Sequence, residues 1–100
     1  MNADKLFEGI NKWGWDKGIL PDADPLAQWT KTMEEATELG VAIANRNREE
    51  VKDAIGDIIV TLTMQAEAWA LTPQECMEHA FNIISKRTGK MVDGVFVKDE

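Results

Sequence analysis

The densest chemistry in this 100-residue chain lies between Lys31 and Asp57, in KTMEEATELGVAIANRNREEVKDAIGD. Two acidic clusters, Glu34/Glu35/Glu38 and Glu49/Glu50/Asp53/Asp57, flank a short polar break. Carboxylates a few ångströms apart repel one another, and desolvation raises the cost. A divalent cation relieves both. Mg²⁺ is hard, octahedral and oxygen-seeking, and is held by a few carboxylates together with waters and substrate phosphates. Glu35 and Glu38 form an i,i+3 pair and Asp53 and Asp57 an i,i+4 pair, so each pair shares one face of a helix. Glu50 extends the second pair. The competing reading is two solvated faces on an acidic protein. Asp57 argues against it. Gly56 and Ile58-Ile59-Val60 surround it, burial is expected there, and an unpaired buried charge is expensive. Such a carboxylate needs a partner, either Lys31 or a metal.

The elements that must position these acids are legible in the periodicity. Leu6, Phe7, Ile10 and Trp13 recur at helical spacing, which predicts a helix over residues 3–17, with Gly18 as its stop. GILPDAD reads as a loop. Asp24 caps a second helix over 25–45, with Pro25 at its first position. Trp29, Met33, Ala36, Gly40 and Ile43 form its apolar seam, the expected core contact. Gln28, Lys31, Glu35, Glu38 and Ala42 form a separate strip within roughly 80° of arc. Asn47 caps a third helix over 48–70, with Glu49 and Glu50 at its positive end. Its broad apolar face runs through Val51, Ile55, Ile58, Ile59, Leu62, Ala66 and Trp69. Glu50, Asp53, Asp57, Thr61 and Met64 form its second strip. Thr72-Pro73-Gln74-Glu75 is a capping box opening a fourth helix over 73–87, with Met77, Ala80, Phe81 and Ile84 as its seam. Asp93-Gly94 between two short apolar runs predicts a type I′ hairpin over 90–98. The expected fold is an all-α, four-helix hairpin bundle with a short C-terminal β-hairpin, one domain over 1–100.

Composition narrows the function classes. A net charge of −7 disfavours nucleic-acid binding, which needs a basic face. No apolar run is long enough for a membrane span, and no signal peptide is evident. The single cysteine, Cys76, forms no intrachain disulfide, which points to the cytoplasm. Cys76-x-x-His79 is half a zinc site at most, and no second pair completes it. Trp13 and Trp29 fall on the packing seams and are expected in the core. Trp15 lies off its seam and is the better candidate for stacking on a base. Gln28, on the acidic strip, could contact a base or a metal-bound water. The third helix is too apolar for a monomer with one wet face, so association is expected.

The pattern Lys31-x-x-Glu34-Glu35-x-x-Glu38-Leu39, a short break, and then Gly56-Asp57 with an aliphatic run resembles the MazG family. That family belongs to the all-α nucleoside triphosphate pyrophosphohydrolases. The ending, from Asn82 through Lys86-Arg87 to GKMVDGVFVK, is similar to small single-domain phage and bacterial members. The resemblance spans about Gln28 to Lys98. It implies a Glu-x-x-Glu pair followed by Glu-x-x-Asp, four acids binding Mg²⁺, with Mn²⁺ as an alternative. Glu35 and Glu38 match the first pair, and Asp57 the last acid. The position three before Asp57 is Ala54, a departure, and Asp53 is the candidate replacement. Glu50-x-x-Asp53 also spells the motif in a second register.

The implied reaction is attack of a metal-activated water on a nucleoside triphosphate, releasing pyrophosphate and a monophosphate. Glu38 is the expected general base. Lys31, Lys86 and Arg87 would meet phosphate charge, and Asn82 sugar or phosphate. The resemblance also implies a homodimer or a dimer of dimers. Two other functions stay open at this stage. One is a nucleotide- or alarmone-binding module with weak catalysis, which Ala54 keeps in play. The other is a phosphoribosyl-ATP pyrophosphohydrolase, ranked lower because few basic residues lie near the motif.

Overall fold

Two long helices, α2 (Pro25–Ala44) and α3 (Arg48–Ala68), form a hairpin that carries the rest of the chain. The structure, a computed structural model, describes residues 1–100. Asp24 opens α2 by accepting a hydrogen bond from the Ala27 N–H at 2.9 Å, with Pro25 at the first helical position. The helix closes through Arg46, which takes a left-handed conformation (φ +52°), and through the Asn47 N–H, which reaches back to the Ala42 carbonyl at 3.1 Å. Asn47 then caps α3, its Oδ1 accepting from the Glu50 N–H at 3.2 Å. The reversal is short, so the two helices lie antiparallel along their length.

Ahead of the hairpin, α1 (Ala3–Asp16) ends at Gly18, whose φ of +75° suits glycine. A single 3₁₀ turn, Leu20–Asp22, follows where a plain loop was expected. After the hairpin, α4 (Pro73–Ile84) starts on the anticipated capping box, with Thr72 and Glu75 bonding each other's backbone N–H. Strands β1 (Gly89–Val92) and β2 (Val95–Lys98) pair antiparallel, Met91 opposite Phe96. Asp93 and Gly94 both have positive φ, as a type I′ turn requires. The four-helix, all-α architecture with its terminal hairpin is as expected. The helices end one to three residues sooner than apolar periodicity suggests. Periodicity does not register the left-handed residues Arg46 and Ala70, nor the tightened turns at Lys86 and Arg87 that terminate α4.

The packing differs more than the boundaries. The seam of Trp29, Met33, Ala36, Gly40 and Ile43 is not core: Trp29 is 55% exposed and Ile43 59%. What α2 buries is the neighbouring stripe of Thr32, Glu35 and Ala42. Facing it, α3 buries Ala54, Thr61 and Met64. Thr32 Oγ1 and Thr61 Oγ1 lie 2.9 Å apart, and each hydroxyl also reaches a carbonyl of its own helix. Small side chains let the backbones approach closely, and the buried hydroxyls stay satisfied. Thr61 and Met64, read in sequence as part of the acidic strip, therefore belong to the interior. The seam of α4 is also uncovered, with no residue of that helix buried.

Helix α1 docks on α3 at Gly14. A Cβ there would lie 2.7 Å from Met64 Sδ and 3.1 Å from Leu20 Cγ, both in buried residues. Gly14→Ala should gain about 1 kcal/mol of helix propensity and lose about 1–3 kcal/mol to overpacking. We expect a net destabilisation of about 1 kcal/mol, read as a lower urea midpoint with an unchanged slope.

Candidate metal centre

Glu35 is buried at the line where α2 meets α3, with its side chain 10% exposed. One oxygen, Oε1, lies 3.4 Å from Lys31 Nζ, one helical turn back. The other, Oε2, is buried and has no hydrogen-bond partner. Donors normally satisfy buried carboxylate oxygens, so this atom is an acceptor without a proton or cation to accept. Glu38, the next turn along α2, and Asp57, from α3, complete a triad. One carboxylate oxygen from each of Glu35, Glu38 and Asp57 falls within 4.8 Å of the others.

The charges respond to this crowding. Glu38 has its pKa raised above the usual glutamate value. A protonated Glu38 can hydrogen-bond to Glu35, and the Glu35 carboxylate repels its charge; slight desolvation and Asp57 add to this, while Lys31 opposes it. Lys31 is raised as well, held as the ammonium by hydrogen bonds and attraction to Glu35 and Glu34. Three carboxylates, one of them with an unpartnered buried oxygen, supply the hard oxygen ligands that a divalent cation takes.

Two cavities flank the triad. One, of about 450 Å³, is lined by Thr37, Glu38, Val41, Glu50, Asp53, Ala54 and Asp57. The other, of about 440 Å³, brings Trp13, Gln28, Lys31, Glu35 and Asp57 together over Met64. Asp57 belongs to both, so it forms the ridge between an acidic chamber and one that carries a cation and an aromatic ring.

Several sequence expectations change in position. Asp57 is exposed rather than buried, because α1 crosses beside it without closing over it. The buried acid is Glu35. Lys31 pairs with Glu34 and Glu35 on its own helix, not with Asp57. Asp53 stands in the acidic chamber beside Glu38 and Asp57 but outside the triad; Ala54 turns instead into the helix contact, 5% exposed. Gln28 lines the second cavity, and there the aromatic neighbour is Trp13 rather than Trp15. Docking at Gly14 turns Trp13, expected in the core, into the groove and leaves it 44% exposed. The close approach that a glycine beside a tryptophan permits was the available signal. Asn82, Lys86 and Arg87 sit exposed at and beyond the end of α4 and line neither cavity. Within one chain the structure does not bring them to the acids. Glu34 and Glu49 are solvated and pair with Lys31 and Lys52. His79 and Cys76 are exposed and line neither cavity.

No helix is long and apolar enough to cross a membrane. Comparison with known proteins places this geometry. Residues 22–82 match the family model of phosphoribosyl-ATP pyrophosphohydrolase. The chain is also similar to an uncharacterized 18.2 kDa protein from the rep-hol intergenic region of Haemophilus phage HP1. The two are 33% identical over 63 residues, covering 63% of this chain and 39% of the phage protein. The match therefore spans well under half of that relative's length. No solved structure matches. The matched segment contains the whole α2–α3 hairpin and every acid of the triad, and on that basis the chain belongs to the phosphoribosyl-ATP pyrophosphohydrolase family, within the MazG-like nucleotide pyrophosphohydrolase superfamily.

Proposed function

We propose that the protein is a Mg²⁺-dependent pyrophosphohydrolase of the cytoplasm that converts nucleoside or deoxynucleoside triphosphates to monophosphates and pyrophosphate. The observation that carries this reading is the unpartnered, buried Oε2 of Glu35 beside Glu38 and Asp57, in a chain of a pyrophosphohydrolase family. Glu35, Glu38 and Asp57 would hold the cation, with Asp53 as an additional acid from the chamber wall. When bound, the ion would neutralise phosphate charge and act as a Lewis acid toward the reacting oxygens.

The chain's own residues supply the rest. Lys31 faces the second cavity and offers one positive charge to a phosphate. Trp13 offers a half-exposed indole face for a base, and Gln28 a donor and an acceptor for its edge or for the sugar. Glu38 is the group to take a proton from the attacking water. Asn82, Lys86 and Arg87 have no role in this scheme within a single subunit.

The family match also favours a second reading, phosphoribosyl-ATP as substrate. The scarcity of basic residues around the cavities counts against the extra phosphate. A panel of ribo- and deoxynucleoside triphosphates and phosphoribosyl-ATP, assayed for pyrophosphate release with Mg²⁺, decides between them. Release from the triphosphates is expected. Release from phosphoribosyl-ATP alone would replace the main reading with the second, and no release from any substrate with metal bound would refute both.

Glu38→Gln should lower turnover by at least about a hundredfold, the scale of a lost general base, with helical content unchanged. Asp53→Asn tests whether the neighbouring acid stands in at the Ala54 position. We expect weaker Mg²⁺ binding by titration calorimetry, and unchanged binding would assign the metal to the triad alone.

The raised Glu38 pKa fixes the sign of a pH effect in the metal-free protein. Protonation relieves the repulsion, so the stabilising contribution is full below the ordinary glutamate value of 4.5 and is lost as pH rises through the higher folded value. Gln mimics the protonated form. Melting temperatures of the wild-type chain and Glu38→Gln should therefore converge at acid pH and separate at neutral pH, the Gln variant being the more stable. Added Mg²⁺ should raise the wild-type value and not the variant's.

A further inference from the structure

We propose that α1 is the specificity wall of this site, and that the slot it forms with Met64 takes a purine base in preference to a pyrimidine. The inference rests on the nucleotide reading above and names the class of base that the site selects. Residues 22–82 carry the family match, so α1 and Ile19 stand ahead of the matched segment. The acids and Lys31 lie within it. The groups that handle phosphate and metal thus come from the matched part of the chain, and one wall over the base from outside it. A close fit seats that wall. Gly14 is buried, and a Cβ on it would come within 2.7 Å of Met64 Sδ and 2.9 Å of Met64 Cε. The absent side chain is what lets the thioether pack against the α1 backbone. Met64 is 2% exposed and lines the second cavity, so the residue on which α1 rests is also a surface that a ligand meets. Trp13, the residue before Gly14, is placed by the same contact.

The lining of the cavity determines how a base is read. Trp13, Ile19, Val60 and Met64 are its apolar part, and they offer an indole face and a thioether to a ring. Of the polar lining, Glu35 and Asp57 belong to the acid triad, and Lys31 pairs with Glu34 and Glu35. The Thr61 hydroxyl donates to the Ile58 carbonyl at 2.8 Å and meets Thr32 Oγ1 at 2.9 Å. What remains for the edge of a base is Gln28. Its backbone carbonyl accepts from Thr32, while its carboxamide is free. One carboxamide presents a donor and an acceptor, and rotation exchanges them. It meets an amino edge or a keto edge equally well, and so separates adenine from guanine poorly. Ring size is left as the discriminating property. A bicyclic base covers more of the indole and of the apolar lining than a monocyclic one, and the gain scales with the apolar area covered. The cavity, of about 440 Å³, also adjoins a trench of about 460 Å³ along Trp13, Val60 and Asp57, which gives the larger ring room.

The test is calorimetric binding, to the full chain with Mg²⁺, of non-hydrolysable triphosphates carrying adenine, guanine, cytosine or uracil. Both purines should bind about tenfold tighter than either pyrimidine, the scale of added stacking on one aromatic ring, and within about threefold of each other. Equal affinity for all four, or tighter pyrimidine binding, would overturn the proposal. Trp13→Leu should erase the purine advantage, whereas Trp15→Leu, exposed on the same helix and outside the cavity, should leave it intact. A purine advantage that survives Trp13→Leu removes α1 from the role of wall. If Trp13→Leu loses its helical signal, fluorescence of the conservative variant decides. Quenching of tryptophan emission by the adenine triphosphate should be lost in Trp13→Phe and kept in Trp15→Phe; quenching kept in Trp13→Phe would place the base elsewhere. Pyrophosphate release separates this proposal from the reading beneath it. Turnover without a purine advantage defeats the proposal and spares the enzymatic reading, and purine-selective binding without turnover does the reverse.

Discussion

A carboxylate oxygen that is buried and has no donor is the constraint on which the rest of this molecule turns. Glu35 is held at the contact between its two longest helices, with Glu38 and Asp57 within 4.8 Å. Lys31 answers only one of its oxygens. An apolar side chain of similar size at this position would cost less in the isolated chain. The arrangement is unfavourable in isolation, and a divalent cation among the three acids would offset that cost. The repulsion among the three acids and the affinity they would have for a cation are two sides of one electrostatic term.

The scaffold must be stiff for such a site to persist, since repelling carboxylates otherwise relax apart. Stiffness comes from closeness. Thr32 meets Thr61, while Ala42 and Ala54 are buried, so the α2 and α3 backbones approach without bulky side chains between them. The turn at Asn45–Asn47 joins them with no slack, because one residue closes α2 and the next caps α3. Ala54 takes its meaning from this closeness. A longer acid in its place would have to enter the helix contact or swing toward the chamber, where Asp53 already stands.

Caps, helices and turns were largely readable in the sequence, because Asp24, Asn47, Thr72-Glu75 and Asp93-Gly94 act through local geometry. The grouping of Glu35, Glu38 and Asp57 on facing strips was readable too, since it follows from helical spacing. Burial was not. Hydrophobicity ranks the Trp29–Met33–Ile43 seam as core, but no element of the chain packs over it. The stripe of Thr32, Glu35, Leu39 and Ala42 looks unremarkable by hydropathy. Only its small residues hint at helix contact. The same blindness put Trp13 in the core and Asp57 beneath the surface, since neither the docking of α1 at Gly14 nor the open ridge it leaves is a property of one helix.

Burial of Glu35 and exposure of Trp29 are one geometric fact. Around α2 the two side chains lie roughly 120° apart, so no rotation of the helix buries both against α3. Turning α2 to bury the tryptophan seam would swing Glu35 into water, where hydration would satisfy Oε2 and the pull on a cation would weaken. The chain has taken the opposite choice: Thr32, Glu35, Ala42, Ala54 and Thr61 turn inward, while Trp29, Ile43, Ile55 and Leu62 stay exposed. A single chain carries both consequences, an unpartnered carboxylate oxygen inside and large apolar side chains outside. Each is a consequence of how α2 is turned, and neither can be removed without disturbing the other.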